Sequence, residues 1–275
     1  MSGIINLPTT SSIVALLDTI KWDDSPQGSE AWLALRARGF ITGSRAKDAR
    51  DRLKNGSPSG KCWGYAYDTA RQREGGTVIM QGSNLAMRTG TEQEPIARMK
   101  YEAKTGELVE EVGFAYTTDG KFGCSVDGLV GTEGAIEVKT TVGSTTLFEN
   151  LVAGDITDYR DQCLMAMWLL RLKWVDVVMW CPDLSILRIV RVNRDEAEIE
   201  AFTADMLAFD KTVEGLREKL RAVRAEWGTE EAADLFTPPA ESPASVHVDT
   251  APTPAPATPA PVKQAVAPDA LPELF

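Results

Sequence analysis

The chain has 275 residues, of which 43% are hydrophobic and 25% charged, as in a folded globular protein with one large domain or two small ones. The formal net charge of −11 argues mildly against a nucleic-acid partner, although cations gathered in one groove would still bind DNA. The single histidine, His247, lies in a Pro/Ala-rich stretch, so the rest of the chain excludes histidine-based triads, an HExxH zinc site and a histidine general base.

The sequence also bears on the compartment. No apolar stretch reaches the roughly 18 residues that a membrane-spanning helix needs, and the first residues lack the features of a secretory signal. The four cysteines are widely spaced and form no CxxC pair: Cys62, Cys124, Cys163 and Cys181. We therefore expect a cytoplasmic protein with free thiols and no membrane partner.

The N-terminal half is predicted to be mainly helical. Residues 1–28 are predicted to be a loosely organised lead-in with an apolar run at 13–20. A helix is expected after Ser29, which can cap it, with Trp32, Leu33 and Leu35 on an apolar face. Loops are expected at 55–61 and 75–84, with helices at 63–73 and 85–105, the second ended by Gly106.

The centre of the chain changes to a β pattern. Strands are predicted at 108–117 and 121–130, joined through Asp119-Gly120 as a hairpin, followed by a short strand at 135–140. A helix at 158–172, strands at 174–181 and 186–192, and a long helix at 194–227 complete the pattern. The order predicts an α/β sandwich, a central mixed β-sheet flanked by helices. Trp168, Trp174 and Trp180 are predicted to be core residues rather than base-stacking platforms.

The last part of the chain has a different composition. Ten of the fifteen prolines follow Thr237, and residues 228–275 contain seven acidic residues against one lysine. Such a segment cannot bury enough apolar surface to fold. We therefore predict one folded domain at 29–227 and an acidic, disordered Pro/Ala-rich tail at 228–275.

Three residues of the central strands form the strongest chemical pattern. Asp127 precedes a glycine, and Glu137 and Lys139 follow in a separate strand. Strand alternation places Glu137 and Lys139 on one face, about 7 Å apart along the backbone. Two carboxylates with a backbone carbonyl would suit Mg²⁺ or Mn²⁺ and leave positions for water and a phosphate oxygen, while Lys139 would stabilise the transition state. The alternative, an exposed strand stabilised by cross-strand ion pairs, explains the pattern about equally well.

Four blocks in the right order give a more specific signal. The core SVDGL…IEVKT resembles the PD-(D/E)xK core of the lambda-exonuclease or YqaJ-like viral recombinase family. Three further blocks resemble segments of that family: Trp32–Arg36 with Ile41–Ser44, Gly90–Pro95 with Tyr101 and Thr105-Gly106, and Tyr159–Gln162. Together the blocks cover about residues 30–225, and they imply a restriction-endonuclease-like sandwich.

The resemblance implies a role for individual residues of the nuclease centre. Asp127 and Glu137 would be metal ligands, assisted by the carbonyl of Val138. Lys139 would be the catalytic lysine. A further metal-site carboxylate, a supporting amide and DNA-binding or 5′-phosphate-binding residues are also implied: Glu94, Gln162, Arg36, Ser44, Ser125 and Tyr159.

Two departures from the family pattern concern the phosphate site and the core. The Arg-to-Ser spacing is one residue longer than in lambda exonuclease, so Arg38 competes with Arg36 for the phosphate role. Val126 stands where the usual proline precedes the core aspartate, and this residue contributes only backbone.

The activity that the resemblance implies is a Mg²⁺-dependent (or Mn²⁺-dependent) 5′-to-3′ exonuclease. It would degrade one strand from double-stranded DNA ends and supply single-stranded DNA to an annealing protein in phage-type recombination. The resemblance also implies a ring of three subunits that threads the duplex. We therefore expect a homotrimer with cations lining its central channel. The alternatives are a structure-specific or RecB-like endonuclease and a non-catalytic DNA-end-binding protein.

Two short segments suggest a protein partner. Residues 271–275, LPELF, resemble peptides that dock on bacterial sliding clamps, and residues 233–236, ADLF, are a similar fragment. The sequence therefore predicts that the tail anchors a partner, with a sliding clamp as the candidate.

Overall fold

The computed structural model describes residues 20–77 and 85–228, without the side chains of residues 85–87. Several predictions lie outside the described residues: the lead-in up to residue 19, most of the loop at 75–84, the tail, and the two clamp-like segments. Residues 20–28, predicted as part of the lead-in, are described and contain a strand at Ile20–Asp23 that pairs with Phe114–Thr117.

Seven helices and nine strands are present in the described part of the chain. The helices are α1 (Glu30–Arg36), α2 (Ala46–Arg50), α3 (Gly60–Arg73), α4 (Leu85–Thr105), α5 (Ser144–Thr146), α6 (Arg160–Leu170) and α7 (Glu196–Trp227). A 3₁₀ turn, Gly43–Arg45, precedes α2, and a π-helical segment, Leu147–Val152, continues α5. The strands are β1 (Ile20–Asp23), β2 (Ile41–Thr42), β3 (Val109–Glu110), β4 (Phe114–Thr117), β5 (Phe122–Cys124), β6 (Gly128–Val130), β7 (Gly134–Thr140), β8 (Trp174–Cys181) and β9 (Ile186–Asn193).

The strands form two mixed sheets flanked by helices. The four-stranded sheet has the order β1-β4-β5-β2, in which only β5 and β2 are parallel. The five-stranded sheet has the order β3-β6-β7-β8-β9, in which only β7 and β8 are parallel. The predicted α/β class with a mixed sheet is confirmed, with the strands divided between two sheets.

The strand predicted at 121–130 proved to be two strands in different sheets. Residues 125–127 carry the chain from β5 to β6. Glycines on both sides of this crossing allow tight packing. A Cβ at Gly123 would lie 2.2 Å from Cζ of Phe114, and one at Gly128 would lie 2.1 Å from Cγ1 of Val109. The crossing places Asp127 at the start of β6 rather than near the end of one long strand.

Local signals in the sequence set several element boundaries. Ser29 caps α1, and its Oγ accepts a hydrogen bond from the Trp32 amide at 3.3 Å. Asp119 and Gly120 form the predicted hairpin turn between β4 and β5, with Gly120 at φ +73°. Leu33, expected on the apolar face of α1, is 38% exposed because the helix buries Leu35 instead.

Helix α6 lies at the centre of the core and contacts both sheets. Trp168 is buried and packs edge-on against Phe122 at a centroid distance of 5.0 Å. Trp180 is also buried, whereas Trp174 is partly buried and stacks under the Arg191 guanidinium at 3.7 Å. The prediction that these tryptophans belong to the core is therefore confirmed, with Trp174 at its edge.

Two further expectations concern the membrane and the thiols. Among the described residues, no helix combines the length and hydrophobicity needed to span a bilayer. All four cysteines are buried free thiols, as the sequence predicted: Cys62, Cys124, Cys163 and Cys181.

Candidate functional site

The pairing of β6 with β7 fixes Asp127 beside Glu137. The two strands are antiparallel, and the Asp127 amide donates to the Ile136 carbonyl at 3.2 Å just before the ladder begins. The Asp127 carboxylate then accepts a hydrogen bond from the Val138 amide at 2.6 Å. The side chain of Asp127 is therefore held against the middle of β7, next to Glu137.

Glu137 and Lys139 project from the same face of β7, as alternation predicted. Lys139 Nζ donates to Glu137 Oε1 at 2.7 Å and to Gln162 Oε1 at 3.1 Å. Gln162 reaches this point from α6 and donates from Nε2 to the same Glu137 oxygen at 2.6 Å. Tyr159 precedes α6, and its ring centroid lies 5.0 Å from Lys139 Nζ. Lys139, Gln162 and Glu137 thus form a closed hydrogen-bond network. Glu137 itself is only 4% exposed.

Glu94 approaches from helix α4. Its Oε1 accepts a hydrogen bond from Arg98 Nη2 at 2.8 Å, one helical turn later. A cavity of about 570 Å³ has both Glu94 and Asp127 in its wall, together with Arg98 and Glu111. The structure therefore brings the carboxylate predicted on the preceding helix to the same region as Asp127.

The electrostatics of the site reflect carboxylates crowded together. Burial raises the pKa of Asp127 well above its usual range, and the charges of Glu137 and Glu94 raise it further. Burial likewise raises the pKa of Glu94, with Arg98 opposing the shift. For Lys139, burial lowers the pKa, but the charge and hydrogen bond of Glu137 outweigh it, so the pKa is raised. The raised pKa favours the charged form of Lys139, whereas the neighbouring carboxylates repel one another.

This donor set fits a hard divalent cation. Carboxylate oxygens are the ligands that Mg²⁺ and Mn²⁺ prefer, and a dication would relieve the mutual repulsion of Asp127, Glu94 and Glu137. Within the described ranges, no three acidic, histidine or cysteine side chains are already closed around a common point. The contact seen at Val138 is made by its amide, so ligation by its carbonyl stays a prediction.

The residues proposed for the 5′-phosphate form a second, linked cluster. Arg36 Nη2 donates to Ser44 Oγ at 3.2 Å, and its guanidinium carbon lies 4.3 Å from the Trp32 ring centroid. Trp32 Nε1 in turn donates to Ser125 Oγ at 3.4 Å. Residues of α1, the 3₁₀ turn and the sheet crossing are therefore joined through Trp32. Asp127 lies two residues from Ser125, which links this cluster to the carboxylates.

The structure distinguishes Arg36 from Arg38. Arg36 is half-buried at Ser44, and burial lowers its pKa. No carboxylate among the described residues forms an ion pair with it. Arg38 is exposed, and its charge acts on Asp23 instead. A half-buried cation with hydroxyl neighbours and no anionic partner is suited to a phosphate group.

The sequence did not predict two residues as contributors to the site. Trp32 was assigned to an apolar face, but its indole N–H joins Ser125 to the Arg36 cluster. Arg98 was not singled out, although its spacing of four residues from Glu94 is a helical ion-pair signal. Both sit at i, i+4 from a predicted site residue, so this periodicity could have identified them.

Comparison with known proteins supplies the family. The YqaJ-like viral recombinase domain matches residues 31–170. No curated protein matches the chain.

Several solved structures match as well. The alkaline exonuclease LHK-Exo from Laribacter hongkongensis is 34% identical, with 72% of this chain and 99% of that chain covered and a TM-score of 0.62. The same protein in complex with dAMP gives 32% identity, the same coverage and a TM-score of 0.63. A phage-related exonuclease from Haemophilus somnus 129PT, at 15% identity, covers 66% of this chain and 96% of its own with a TM-score of 0.56, which supports the fold alone.

Proposed function

This chain belongs to the YqaJ-like viral recombinase family, and from that premise we propose that it is a metal-dependent DNA exonuclease. The observation that carries the proposal is the network in which Lys139 and Gln162 both bind Oε1 of Glu137, beside Asp127. A surface strand stabilised only by ion pairs would not need a buried glutamate that accepts a hydrogen bond from an amide on a helix. This arrangement favours the catalytic interpretation over the structural one.

Each residue of the centre has a proposed task. Asp127, Glu137 and Glu94 would hold the ion, with the carbonyl of Val138 as a further ligand. A bound Mg²⁺ or Mn²⁺ supplies positive charge that polarises the phosphodiester and acidifies water. Lys139, charged and anchored to Glu137, orients the attacking water and stabilises negative charge developing on the phosphate. Gln162, hydrogen-bonded to both, holds the side chains of Lys139 and Glu137 in their orientations.

The second cluster supports a proposal for the polarity of digestion. We place the 5′-phosphate of the DNA end on Arg36 with Ser44 and Ser125, and DNA near Tyr159. Arg36 has the charge and geometry to bind phosphate oxygens, and Ser125 lies two residues before Asp127. A terminal phosphate held there would set the scissile bond a fixed distance from the metal ligands. Digestion would then proceed from 5′ to 3′ and leave single-stranded DNA.

The partners are proposals of the same kind. The substrate would be the end of linear double-stranded DNA, and the single-stranded product would pass to an annealing protein. A homotrimeric ring would reconcile DNA binding with the acidic net charge, since only the channel needs cations. The four buried free thiols support action in a reducing cytoplasm, that of a bacterium or of the host of a phage. The C-terminal LPELF would bind a sliding clamp.

The activity is tested on matched DNA substrates. Purified full-length protein with Mg²⁺ should release nucleotides from linear duplex with 5′-phosphates and leave covalently closed circles intact. Nicking of the circles would instead indicate an endonuclease. Asp127→Asn should abolish release, while Asp24→Asn, a control on the same cavity wall, should not. Undiminished release by Asp127→Asn would refute the proposed centre.

A further inference from the structure

Arg98 occupies an unusual position next to the proposed metal ligands. It is 8% exposed, and it lines the 570 Å³ cavity beside Asp127. Five carboxylates line the same cavity, and Arg98 is the only cation among its described lining residues. The acidic members are Asp24, Glu94, Glu110, Glu111 and Asp127.

The two terminal nitrogens of Arg98 hold different carboxylates. Nη2 donates to Glu94, and Nη1 forms an ion pair with Glu111, which lies between β3 and β4. The buried Nε has no hydrogen-bond partner among the described residues. The two partners differ in setting, since the Glu94 side chain is 27% exposed and the Glu111 side chain is 76% exposed. Of the two carboxylates, only Glu94 is a proposed metal ligand.

We propose that Arg98 is a positioning residue that competes with the catalytic divalent ion for Glu94, and that Glu111 retains the guanidinium when Glu94 turns to the ion. This inference rests on the proposed function, because it takes Glu94 as a ligand. A guanidinium and a dication both neutralise this carboxylate, so binding of one weakens binding of the other. In the absence of the ion, Arg98 limits the repulsion between Glu94 and its acidic neighbours.

Glu111 makes the exchange of partners feasible. A buried guanidinium left without any carboxylate would be costly, and this cost would keep Arg98 on Glu94. Because Nη1 already binds Glu111, Arg98 stays paired after Glu94 moves. Glu111 is therefore expected to favour metal binding although it is not a ligand itself.

The test measures Mn²⁺ affinity of the full-length protein by electron paramagnetic resonance, without DNA. Removing the competing charge in Arg98→Met should tighten Mn²⁺ binding by about tenfold. In Glu111→Gln the guanidinium keeps Glu94 as its one carboxylate partner among the described residues, so Mn²⁺ binding should weaken by about threefold. Glu110→Gln is the matched control, since Glu110 lines the same cavity but forms no ion pair with Arg98.

The outcomes separate this inference from the proposed function. Unchanged or weaker binding by folded Arg98→Met would overturn it, provided that Asp127→Asn has lost Mn²⁺. If Asp127→Asn binds Mn²⁺ as the natural chain does, the proposed function itself fails. Should Arg98→Met not fold, the glutamine pair decides: equal affinities of Glu111→Gln and Glu110→Gln overturn the inference, and a selective loss in Glu111→Gln supports it.

Discussion

Gln162 donates a 2.6 Å hydrogen bond to Oε1 of Glu137, a residue 25 positions earlier in the chain. Lys139 Nζ donates a hydrogen bond to the same Glu137 oxygen and another to the amide oxygen of Gln162. Helix α6 thus fixes the orientation of both catalytic candidates on β7. The relationship gives Gln162 a physical task that its position on a helix alone would not suggest.

Loss of the Gln162 amide should impair turnover. Gln162→Leu should lower kcat by about 10- to 100-fold, because Lys139 and Glu137 lose their shared partner. KM for linear duplex should change little, since Gln162 is not placed against DNA. Asp161→Asn, one residue earlier and paired with Arg50, is the control. Steady-state kinetics that show full activity in Gln162→Leu would contradict this role.

Replacing Lys139 should reduce nuclease activity far more than replacing a surface lysine. Lys139→Met should reduce kcat by roughly 10²–10³-fold, because it removes a partly buried cation from the transition-state environment. Lys173→Met should leave activity unchanged, because Lys173 pairs with Glu133 at the surface. Nucleotide release from 5′-phosphorylated duplex measures both. Comparable losses in the two variants would mean that the effect on Lys139 is not local.

Asp127 should destabilise the metal-free protein at alkaline pH. Its pKa is raised on folding, so the folded state binds the proton more tightly than the unfolded state. Stability therefore falls as pH rises from the ordinary carboxyl range through the raised pKa.

Asp127→Asn removes that penalty and should raise the Tm of metal-free protein at pH 8 by about 2–4 °C. The difference should shrink as the pH is lowered to about 4, where Asp127 is protonated in the folded state and about half protonated in the unfolded state. Saturating Mn²⁺ should stabilise only the natural chain. Scanning calorimetry at the two pH values checks this, and a lower Tm of the variant at pH 8 would argue against crowded carboxylates.

Arg36 and Arg38 should differ in their effect on the DNA end. Arg36→Met should abolish the preference for 5′-phosphate over 5′-hydroxyl duplex, because its guanidinium is held at Ser44. Arg38→Met should keep the preference, because Arg38 is exposed and apart from this cluster. Competition between the two substrates measures it. A preference that depends on Arg38 would reverse the assignment.

The C-terminal segment should affect a partner and not the chemistry. Deletion of residues 271–275 should leave nucleotide release unchanged, since every proposed catalytic residue lies between Glu94 and Gln162. Binding to a bacterial sliding clamp, measured by surface plasmon resonance, should be lost. Replacing the five residues with GSGSG keeps the length as a control. Clamp binding that persists in both variants would eliminate the clamp proposal.

The sequence by itself determined the features that depend on neighbours along the chain. Period-two alternation put Glu137 and Lys139 on one face of β7, and Asp119-Gly120 specified the hairpin. Capping identified the start of α1 at Ser29. The ordered blocks also identified the family, because each block retains residue types at fixed local spacing.

Only the tertiary structure decided which distant residues share a site. Packing between elements far apart in sequence determines three features: the crossing at residues 125–127 between two sheets, the contact of Arg36 with Ser44, and the convergence of Glu94 on Asp127. Arg98 gained its interest from a buried position between two carboxylates, which helical spacing alone does not reveal. Periodicity tells which face a side chain is on, whereas burial and long-range contacts determine what that face meets.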